Sequence, residues 1–336
     1  MSEAVRVVYL GGLGRSGSTL LERLLGELPG VCASGEVVHM WQRGVVENER
    51  CGCGEAFGAC DFWQQVGKVA FGGWDQISTD RVVALRAAVD RTRRIPALSR
   101  RALPARLQAA LAEYTGYYLG VYRAIAAVSG AAAVVDSSKH ASLAFCLARH
   151  ADIDLRVIHL VRDSRAVAYS WTTSVARPDR SDPPGDATSP GGTGGGTRGG
   201  TGGYMTTYPP ARAAGHWNAQ NGALQLLARR GTPVLRLRYE DFVAAPEQSL
   251  RIAAGFAGIT ADDLPVGTGA ADGQSRWARL SKSHTASGNP MRFVTGTVPI
   301  RGDDRWRTAM PDAQRRTVTA LTLPLLSHYG YLGRAA

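Results

Sequence analysis

Long apolar runs are missing from this chain of 336 residues. A helix that crosses a bilayer needs about 18 consecutive apolar residues, and the longest candidate run, 125–135, is interrupted by Ser129 and Gly130. The first residues, MSEAVRVVYLGG, also lack the basic segment, apolar stretch and cleavage site of a signal peptide. We therefore expect a soluble, cytoplasmic protein without a membrane span.

Lysine is scarce, because Lys68, Lys139 and Lys282 are the only three in the sequence. Lysine and arginine together number 39 against 28 acidic residues, which gives a net charge of +11 and favours an anionic partner. The arginines are spread along the chain without the dense cluster of a nucleic-acid-binding arm. Aromatic residues make up 7% and are not interleaved with charge as on a base-stacking surface. We expect a small anionic ligand and no nucleic acid, and the sequence does not indicate the oligomeric state.

Cysteine is also sparse, and its five copies form an odd number that argues against a disulfide framework. Three of them, Cys51, Cys53 and Cys60, lie in the segment CGCGEAFGAC. A zinc site would need a fourth ligand, and Cys-x-Cys is tighter than the usual spacing of zinc ligands. The pattern favours a structural knot or a redox-labile loop over a metal site, which stays the alternative.

Segments rich in β-branched residues alternate with helical ones along most of the chain. They are RVVYLGG before a helix at 18–28, AAAVVDSS before 141–150, LRVIHLVR before 164–175 and PVLRLRYE before 246–257. Such alternation predicts an α/β fold of three layers, with a central parallel sheet and crossover helices.

Two stretches depart from this alternation inside what we expect to be a single domain, 1–336. The region 75–128 has helical periodicity and poor strand propensity, which predicts a helical insert that shapes a substrate cleft. The region 177–210 is rich in glycine, proline, serine and threonine and cannot bury a core, so we expect a flexible Gly-rich loop there.

A glycine-rich turn follows the first predicted strand. The stretch from Gly12 to Thr19 matches the phosphate-loop pattern GxxxxGK(S/T), except that Ser18 replaces the lysine. The backbone amides of such a turn and the start of the following helix bind anions without a specific side chain. Loss of the lysine argues against phosphoryl transfer from ATP, and Arg15 offers a different cation. We therefore predict a P-loop-containing fold whose turn binds a phosphate-like group.

Another predicted strand, LRVIHLVR, finishes at Arg162 and places a cation at the carboxyl edge of the sheet. The following helix carries Ser170 eight residues later.

The run GRSGSTLLERLLGELPGVCASGEVVHMWQRG resembles the opening of sulfotransferases that use 3′-phosphoadenosine-5′-phosphosulfate (PAPS), and the spacing of Arg162 and Ser170 resembles that family's 3′-phosphate signature. A guanidinium and a hydroxyl can distinguish such a ligand, with its additional phosphate, from ATP. The similarity is strongest to tyrosylprotein sulfotransferases and to bacterial sulfotransferases of small molecules. It implies that the turn grips the 5′-phosphosulfate without a metal, through Arg15, Ser16, Gly17, Ser18 and Thr19. It also implies that Arg162 and Ser170 bind the 3′-phosphate.

Three further segments resemble the same family. VVDSSKH matches a strand-end segment with a conspicuous lysine, here Lys139, and RLRYEDF matches one whose tyrosine, here Tyr239, approaches the nucleotide. A tyrosine that is simply buried in its strand is the alternative for Tyr239. The segment SHTASGNPMRF resembles a C-terminal part of the bacterial members and implies three residues near the donor, which are Ser283, Asn289 and Arg292.

The family resemblance also implies catalytic roles. Glu36 is the expected general base for the incoming hydroxyl, and His39 is the alternative because its ordinary pKa suits the task better. Glu36 as an exposed acid paired with Arg43 or Arg23 stays open. Lys139 and Arg15 would neutralise the leaving phosphate. The expected acceptor is a hydroxyl of a small molecule, sugar or glycolipid.

Two other functions compete with sulfuryl transfer. A P-loop kinase or NTPase would need a replacement lysine and a carboxylate for magnesium, a part that Asp136 could play. A protein that binds a polyanion without catalysis would use the same basic turn.

Overall fold

The structure is a computed structural model that describes residues 3–176, 204–269 and 275–332. The strands in these ranges are β1 (Val5–Gly11), β2 (Val31–Ala33), β3 (Ala133–Lys139), β4 (Ile153–Val161), β5 (Val234–Arg238), β6 (Val266–Thr268), β7 (Arg276–Leu280) and β8 (Gly296–Ile300). The helices are α1 (Ser18–Gly26), α2 (Val37–His39), α3 (Asp61–Phe71), α4 (Thr79–Val89), α5 (Ile95–Leu98), α6 (Ala105–Ser129), α7 (Ala141–Leu147), α8 (Ser164–Thr172), α9 (Pro210–Arg229), α10 (Tyr239–Ala244), α11 (Pro246–Ala257), α12 (Trp306–Ala309) and α13 (Asp312–His328). A π-helix (Met40–Val46) continues α2, and short 3-10 turns lie at Phe57–Ala59, Trp74–Gln76, Thr92–Arg94 and Pro290–Phe293.

Five strands form a parallel sheet in the order β2-β3-β1-β4-β5. The register pairs Val7 with Val134 on one side and with Leu155 on the other. This arrangement confirms the parallel sheet with crossover helices that the sequence predicted. Helix α11 has its predicted bounds, whereas α1, α7 and α8 end two or three residues earlier than predicted. Such end effects are set by local capping rather than by periodicity.

Alternation along β1 divides the core into two layers. Val7 and Tyr9 face one side of the sheet, and Val8 and Leu10 face the other, as the period of a strand requires. Buried residues of α6, α7 and α9 pack on the first side. Helices α1 and α11 pack on the second side, together with a smaller antiparallel sheet in the order β6-β7-β8. The result is the predicted three-layer fold with helices on both faces of the central sheet.

Helices α4, α5 and α6 lie in the range 75–128 or overlap its end, where the sequence indicated helical periodicity. Helix α6 ends at Gly130, whose φ of 67° is the left-handed conformation that terminates a helix at low cost. The predicted Gly-rich loop, 177–210, lies outside the described residues up to position 203. None of the helices that the structure describes combines the length and apolar character needed to cross a membrane.

One buried arginine ties α1 to the C-terminal part of the chain. The Arg23 guanidinium donates to the carbonyls of Arg292 at 2.8 Å and Met291 at 3.2 Å. It also donates to the carbonyls of Ser281 at 2.5 Å and Val294 at 3.1 Å. The Arg23 side chain therefore donates to four main-chain carbonyls, which an apolar side chain could not do. These bonds hold the segment 281–294 against α1.

We expect Arg23→Met to lower the free energy of unfolding by about 2–4 kcal/mol, because it leaves several carbonyls without donors. Urea unfolding followed by circular dichroism would measure the change. The matched control is Arg81→Met, since Arg81 forms an exposed ion pair with Glu113 and its loss should leave stability nearly unchanged. Equal effects of the two substitutions would contradict the structural role of Arg23.

Candidate active site at the carboxyl edge of the sheet

The five parallel strands end at one edge, and each delivers a functional group there. In a parallel sheet, residues that follow neighbouring strands meet in a crevice at this edge, which is where α/β proteins bind ligands. The groups, which we call the strand-end site, are the turn 12–17 after β1, Glu36 after β2, Lys139 at the end of β3, Arg162 after β4 and Tyr239 after β5.

The turn 12–17 is built by glycines that no other residue could replace. Gly12 has a φ of 143°, and a Cβ there would lie 2.5 Å from the carbonyl oxygen of Leu160. Gly17 has a φ of 87°, and a Cβ there would lie 2.5 Å from the ring of Tyr239. Helix α1 begins without a side-chain cap. Its first N–H groups therefore have no partner within the helix and point toward the space where an anion would sit.

Arg15 is the buried cation of this turn. Its Nε and Nη2 atoms are buried and have no hydrogen-bond partner among the described residues. Its guanidinium lies over the ring of Trp171, 5.3 Å from the ring centre. Burial lowers the pKa of Arg15, whereas the charge of Glu36 raises it. Buried donors without acceptors are rare in folded proteins, so this pair of N–H groups is a place for a ligand's anionic oxygens.

Backbone strain is concentrated at the same edge. Within the described residues, three residues other than glycine have a positive φ, and two of them are Arg15 at 74° and Lys139 at 69°. The left-handed conformation costs about 1–2 kcal/mol for a residue with a side chain. Strain of this kind clusters at functional sites, where the surrounding structure enforces it.

Glu36 and Lys139 form a largely buried ion pair. The Lys139 Nζ atom lies 2.5 Å from Glu36 Oε1 and also donates to the carbonyl of Ser137 at 2.9 Å. Burial raises the pKa of Glu36, but the charge and hydrogen bond of Lys139 and the charge of Arg43 together bring it below its ordinary value. Glu36 is thus an ionised carboxylate whose ion-pair partner is Lys139, and the charge of Arg43 also acts on it.

His39 lies beside this pair, with its Nε2 atom 3.5 Å from Glu36 Oε2. Burial, followed by the positive charges of Arg43 and His140, holds the pKa of His39 well below 6.5. The imidazole is therefore neutral at physiological pH, and its lowered pKa makes it a weaker base than an exposed histidine. Both candidate bases of the sequence analysis lie in the strand-end site within reach of one another.

Two carboxyl groups, those of Glu22 and Asp136, are buried behind the strand-end site. The sequence analysis did not predict that either would lie there. Glu22 on α1 accepts hydrogen bonds from the Gly35 amide at 2.6 Å and the Ser137 hydroxyl at 2.7 Å. Burial raises its pKa from 4.5 to about 7. The sequence signal for Glu22 is an acidic residue among the apolar residues of α1.

Asp136 is occupied by protein donors. Its carboxylate accepts from the Tyr122 hydroxyl at 2.6 Å and from the Ser138 amide at 2.7 Å and hydroxyl at 2.5 Å. Burial raises its pKa to about 6. The magnesium-binding part that a P-loop kinase would require is thus not open at Asp136.

Arg162 lies on the other side of the turn. Its Nη1 donates to the carbonyl of Arg15 at 2.9 Å, its Nη2 lies 3.3 Å from the carboxylate of Asp303, and its Nε is buried without a partner among the described residues. The guanidinium stacks on the ring of Tyr239 at 4.5 Å. Tyr239 is therefore half-buried against both the turn and Arg162, and it approaches the predicted nucleotide site. The competing carboxylate of Asp303 was not foreseen.

Ser170 lies half-buried in the last turn of α8. The next residue, Trp171, donates from its Nε1 atom to the carbonyl of Gly14 at 3.1 Å. The end of α8 is therefore fixed against the anion-binding turn. Of the other turn residues, Ser16 and Ser18 are buried and Thr19 is half-buried.

The three C-terminal residues expected near the donor, Ser283, Asn289 and Arg292, have different surroundings. Arg292 is buried and donates to the carbonyls of Arg50 at 2.7 Å, Thr285 at 3.0 Å and Ala286 at 3.2 Å, so its visible role is architectural. The Ser283 hydroxyl lies 3.5 Å from that of Thr285. The described contacts of Arg292 and Ser283 are with the segments 50–52 and 285–286, and their role as donor ligands stays a prediction.

Asn289 is the member that stays next to the strand-end site. Its side chain accepts from the Met291 amide at 3.0 Å and so begins the 3-10 turn. The neighbouring Gly288 has a φ of 138° and passes Glu36 so closely that a Cβ would lie 3.2 Å from Oε1. The segment around Asn289 therefore covers the Glu36 carboxylate.

We expect Glu22 to make stability fall as pH rises from 4.5 to about 7. The folded protein binds a proton at Glu22 more tightly than the unfolded chain does, so the stability contributed by protonation is complete below pH 4.5 and is lost as the pH rises through about 7. In Glu22→Gln this loss, about 3 kcal/mol in all, should be absent.

Denaturant unfolding between pH 4 and about pH 8 would measure this difference. Glu247→Gln, at an exposed position of α11, should keep the pH dependence of the wild type. Parallel profiles for Glu22→Gln and the wild type would contradict the raised pKa.

Comparison with solved structures finds chains with a similar course, among them two sulfotransferase domains. The sulfotransferase domain from the Synechococcus PCC 7002 olefin synthase is 20% identical, with a TM-score of 0.49, and the match covers 97% of this chain and 96% of that one. The sulfotransferase domain from the curacin biosynthetic pathway is 16% identical, with a TM-score of 0.46, and the match covers 96% of this chain and 99% of that one. No family model matches the sequence, and no curated protein does.

Proposed function

We propose that the protein transfers a sulfuryl group from PAPS to the hydroxyl of a small molecule, sugar or glycolipid by in-line displacement. One observation carries the proposal: the Nε and Nη2 atoms of Arg15 are buried without a partner among the described residues, in a phosphate turn that lacks lysine and lies near the Glu36–Lys139 pair. This arrangement supplies an anion site and a proton acceptor side by side. A phosphate loop built for ATP hydrolysis would instead need its lysine and an open magnesium ligand.

The turn and the start of α1 fit the 5′ end of the donor. The unpartnered N–H groups of Arg15 and the amides of the uncapped helix are hydrogen-bond donors for anionic oxygens. The hydroxyl-bearing residues of this site are Ser16, Ser18 and Thr19. We propose that this end of the donor is held without a metal, because the Asp136 carboxylate, which could hold magnesium in an ATPase-type site, is occupied by protein donors.

Arg162, Ser170 and Tyr239 fit the 3′ end of the donor. Arg162 keeps a buried Nε without a partner, and its bond to the Asp303 carboxylate is one that a phosphate could replace. A bidentate guanidinium distinguishes a ribose 3′-phosphate from a free hydroxyl. The Tyr239 ring, stacked on Arg162, forms the wall of this subsite.

The catalytic roles follow from the charges at the strand-end site. The donor supplies an activated sulfuryl group, and 3′-phosphoadenosine-5′-phosphate leaves with the electron pair of the broken sulfur–oxygen bond. Glu36 accepts the proton of the attacking hydroxyl, and Lys139 orients the carboxylate. Lys139 and Arg15 neutralise the charge that develops on the leaving phosphate oxygen. His39, neutral and 3.5 Å from Glu36, is the alternative proton acceptor.

Residues around the edge define the class of acceptor. The proposed acceptor is a hydroxyl, whose proton passes to the ionised Glu36 carboxylate as the new bond forms. The segment 286–289 and the helical region α4–α6 lie nearest the Glu36 side of the sheet. We propose that these elements select the acceptor, and that the enzyme works in the cytoplasm on small molecules.

We expect 3′-phosphoadenosine-5′-phosphate to bind more tightly than ADP, and to do so without magnesium, in isothermal titration calorimetry. Loss of a charge-assisted contact in Arg162→Ala should weaken its binding by roughly 10–100-fold. Adenosine 5′-phosphosulfate, which lacks the 3′-phosphate, should be affected far less.

The matched control is Arg251→Ala, which removes an exposed arginine of α11. It should bind as the wild type does. Binding of ATP with magnesium, and of no other nucleotide, would refute sulfuryl transfer. Equal losses of affinity for 3′-phosphoadenosine-5′-phosphate and adenosine 5′-phosphosulfate in Arg162→Ala would show that Arg162 does not bind the 3′-phosphate.

We expect Glu36→Gln to reduce kcat by roughly 10²–10⁴-fold, because the amide cannot accept the proton. The assay is transfer of labelled sulfate from PAPS to the best acceptor found in a panel of phenols, sugars and glycolipids. Glu47→Gln, which removes an exposed carboxylate after the π-helix, is the control and should keep full activity.

Binding of 3′-phosphoadenosine-5′-phosphate by Glu36→Gln should stay close to that of the wild type, which separates catalysis from folding. If Glu36→Gln retains kcat within a few-fold while His39→Asn loses it, the base is His39.

A further inference from the structure

Three cysteines of one short segment meet a histidine from a distant part of the chain beside the strand-end site. They are Cys51, Cys53, Cys60 and His284, which we call the cysteine–histidine cluster. Their sulfur and nitrogen atoms all lie within 4.8 Å of one another. We propose that the cysteine–histidine cluster binds one zinc ion as a structural site. The proposal goes beyond sulfuryl transfer and does not depend on it.

The spacing of the ligand atoms matches a tetrahedron around zinc. Zinc–sulfur and zinc–nitrogen bonds of about 2.3 and 2.0–2.1 Å place neighbouring ligands about 3.8 Å apart for two sulfurs and about 3.6 Å apart for sulfur and nitrogen. The sulfurs of Cys53 and Cys60 are 3.7 Å apart. The Nδ1 atom of His284 lies 3.3 Å from the sulfur of Cys60 and 3.8 Å from that of Cys51.

The donor set is one that selects zinc. Three thiolates and an imidazole are a common structural zinc site, and four protein ligands leave no open position for catalysis. The Nδ1 atom of His284 contacts the sulfurs of the two buried cysteines of the cluster, Cys51 and Cys60.

The surroundings hold the ligands in place. The ring of Phe62 stacks on His284, with 4.9 Å between ring centres. The Nε1 atom of the buried Trp63 donates to the His284 carbonyl at 2.8 Å. The ligand histidine is thus oriented by contacts from helix α3, in the way that outer contacts orient the ligands of metal sites.

A tight turn explains how Cys51 and Cys53 can both bind despite their short spacing. The Cys51 amide donates to the Glu55 carbonyl at 2.8 Å, and the Gly54 amide donates to the Cys51 carbonyl at 2.9 Å. Gly52 lies against Thr285, where a Cβ would clash with the threonine side chain. The glycine lets the turn come close enough for the histidine segment to complete the cluster.

The zinc ion would fix the segment 284–288, which covers the Glu36 carboxylate. From His284 the chain runs past Ser34, where the Ala286 amide donates to the Ser34 carbonyl at 2.9 Å. The Glu36 amide then donates to the Ser287 carbonyl at 3.3 Å. A metal that joins the turn 51–54 to His284 therefore fixes the segment beside Glu36, so its removal should loosen this part of the fold.

The first test is elemental analysis of the purified full-length protein by mass spectrometry. We expect about one zinc ion per chain, and Cys53→Ser, at a half-exposed position, should weaken zinc binding by at least about 100-fold because it removes a ligand. The control is Cys32→Ser, which removes a half-buried cysteine outside the cluster and should keep the metal. A wild-type protein that contains no zinc and takes up none from micromolar solution overturns the proposal.

A second test keeps the proposal open to refutation where a variant fails to fold. Reconstitution of the wild-type protein with cobalt(II) should give the visible absorption of a tetrahedral thiolate site. His284→Ala should lose this spectrum, whereas His284→Cys restores a fourth ligand and should regain it. A Cys53–Cys60 disulfide in the protein as isolated under reducing conditions, seen by intact mass, would show a redox-labile loop instead and overturn the zinc site.

Discussion

Five parallel strands end at one edge, and the candidate site depends on this constraint. Because β1 is the central strand, the turn that follows it lies between the groups delivered by β2 and β3 on one side and by β4 and β5 on the other. Glu36 and Lys139 arrive from the first side, and Arg162 and Tyr239 from the second. The sheet therefore places the proposed chemistry and the proposed nucleotide recognition on opposite sides of a single anion-binding turn.

Protein groups balance only some of the positive charges at this edge of the sheet. Lys139 is neutralised by Glu36 and Arg162 is opposed by Asp303, but the buried N–H groups of Arg15 have no protein acceptor in the described part of the chain. The strained backbones of Arg15 and Lys139 add an unfavourable term that only the surrounding structure can maintain. An anion bound by the turn would satisfy the buried donors and relieve the excess of positive charge.

The C-terminal segment 281–294 connects this edge to the rest of the molecule. Arg23 and Arg292 hold its main chain by donating to carbonyls, and the cysteine–histidine cluster anchors it at His284. The same segment reaches Glu36 through the main chain of Ser287 and the close approach of Gly288. Two buried arginines and the proposed zinc ion thus all help to position the Glu36 carboxylate.

The sequence by itself determined the parallel sheet, the glycine-rich turn after β1, the full extent of α11 and the strand-end positions of Lys139, Arg162 and Tyr239. These features rest on periodicity and on residues that are neighbours in the chain. The short strand β2 before Glu36 was not predicted. Only the tertiary structure decided the partners. Glu36 meets Lys139 across 103 residues, Cys60 meets His284 across 224, and Arg292 donates to the Arg50 carbonyl across 242. Which side chains meet across such separations depends on how the elements cross and pack, and no local pattern encodes this.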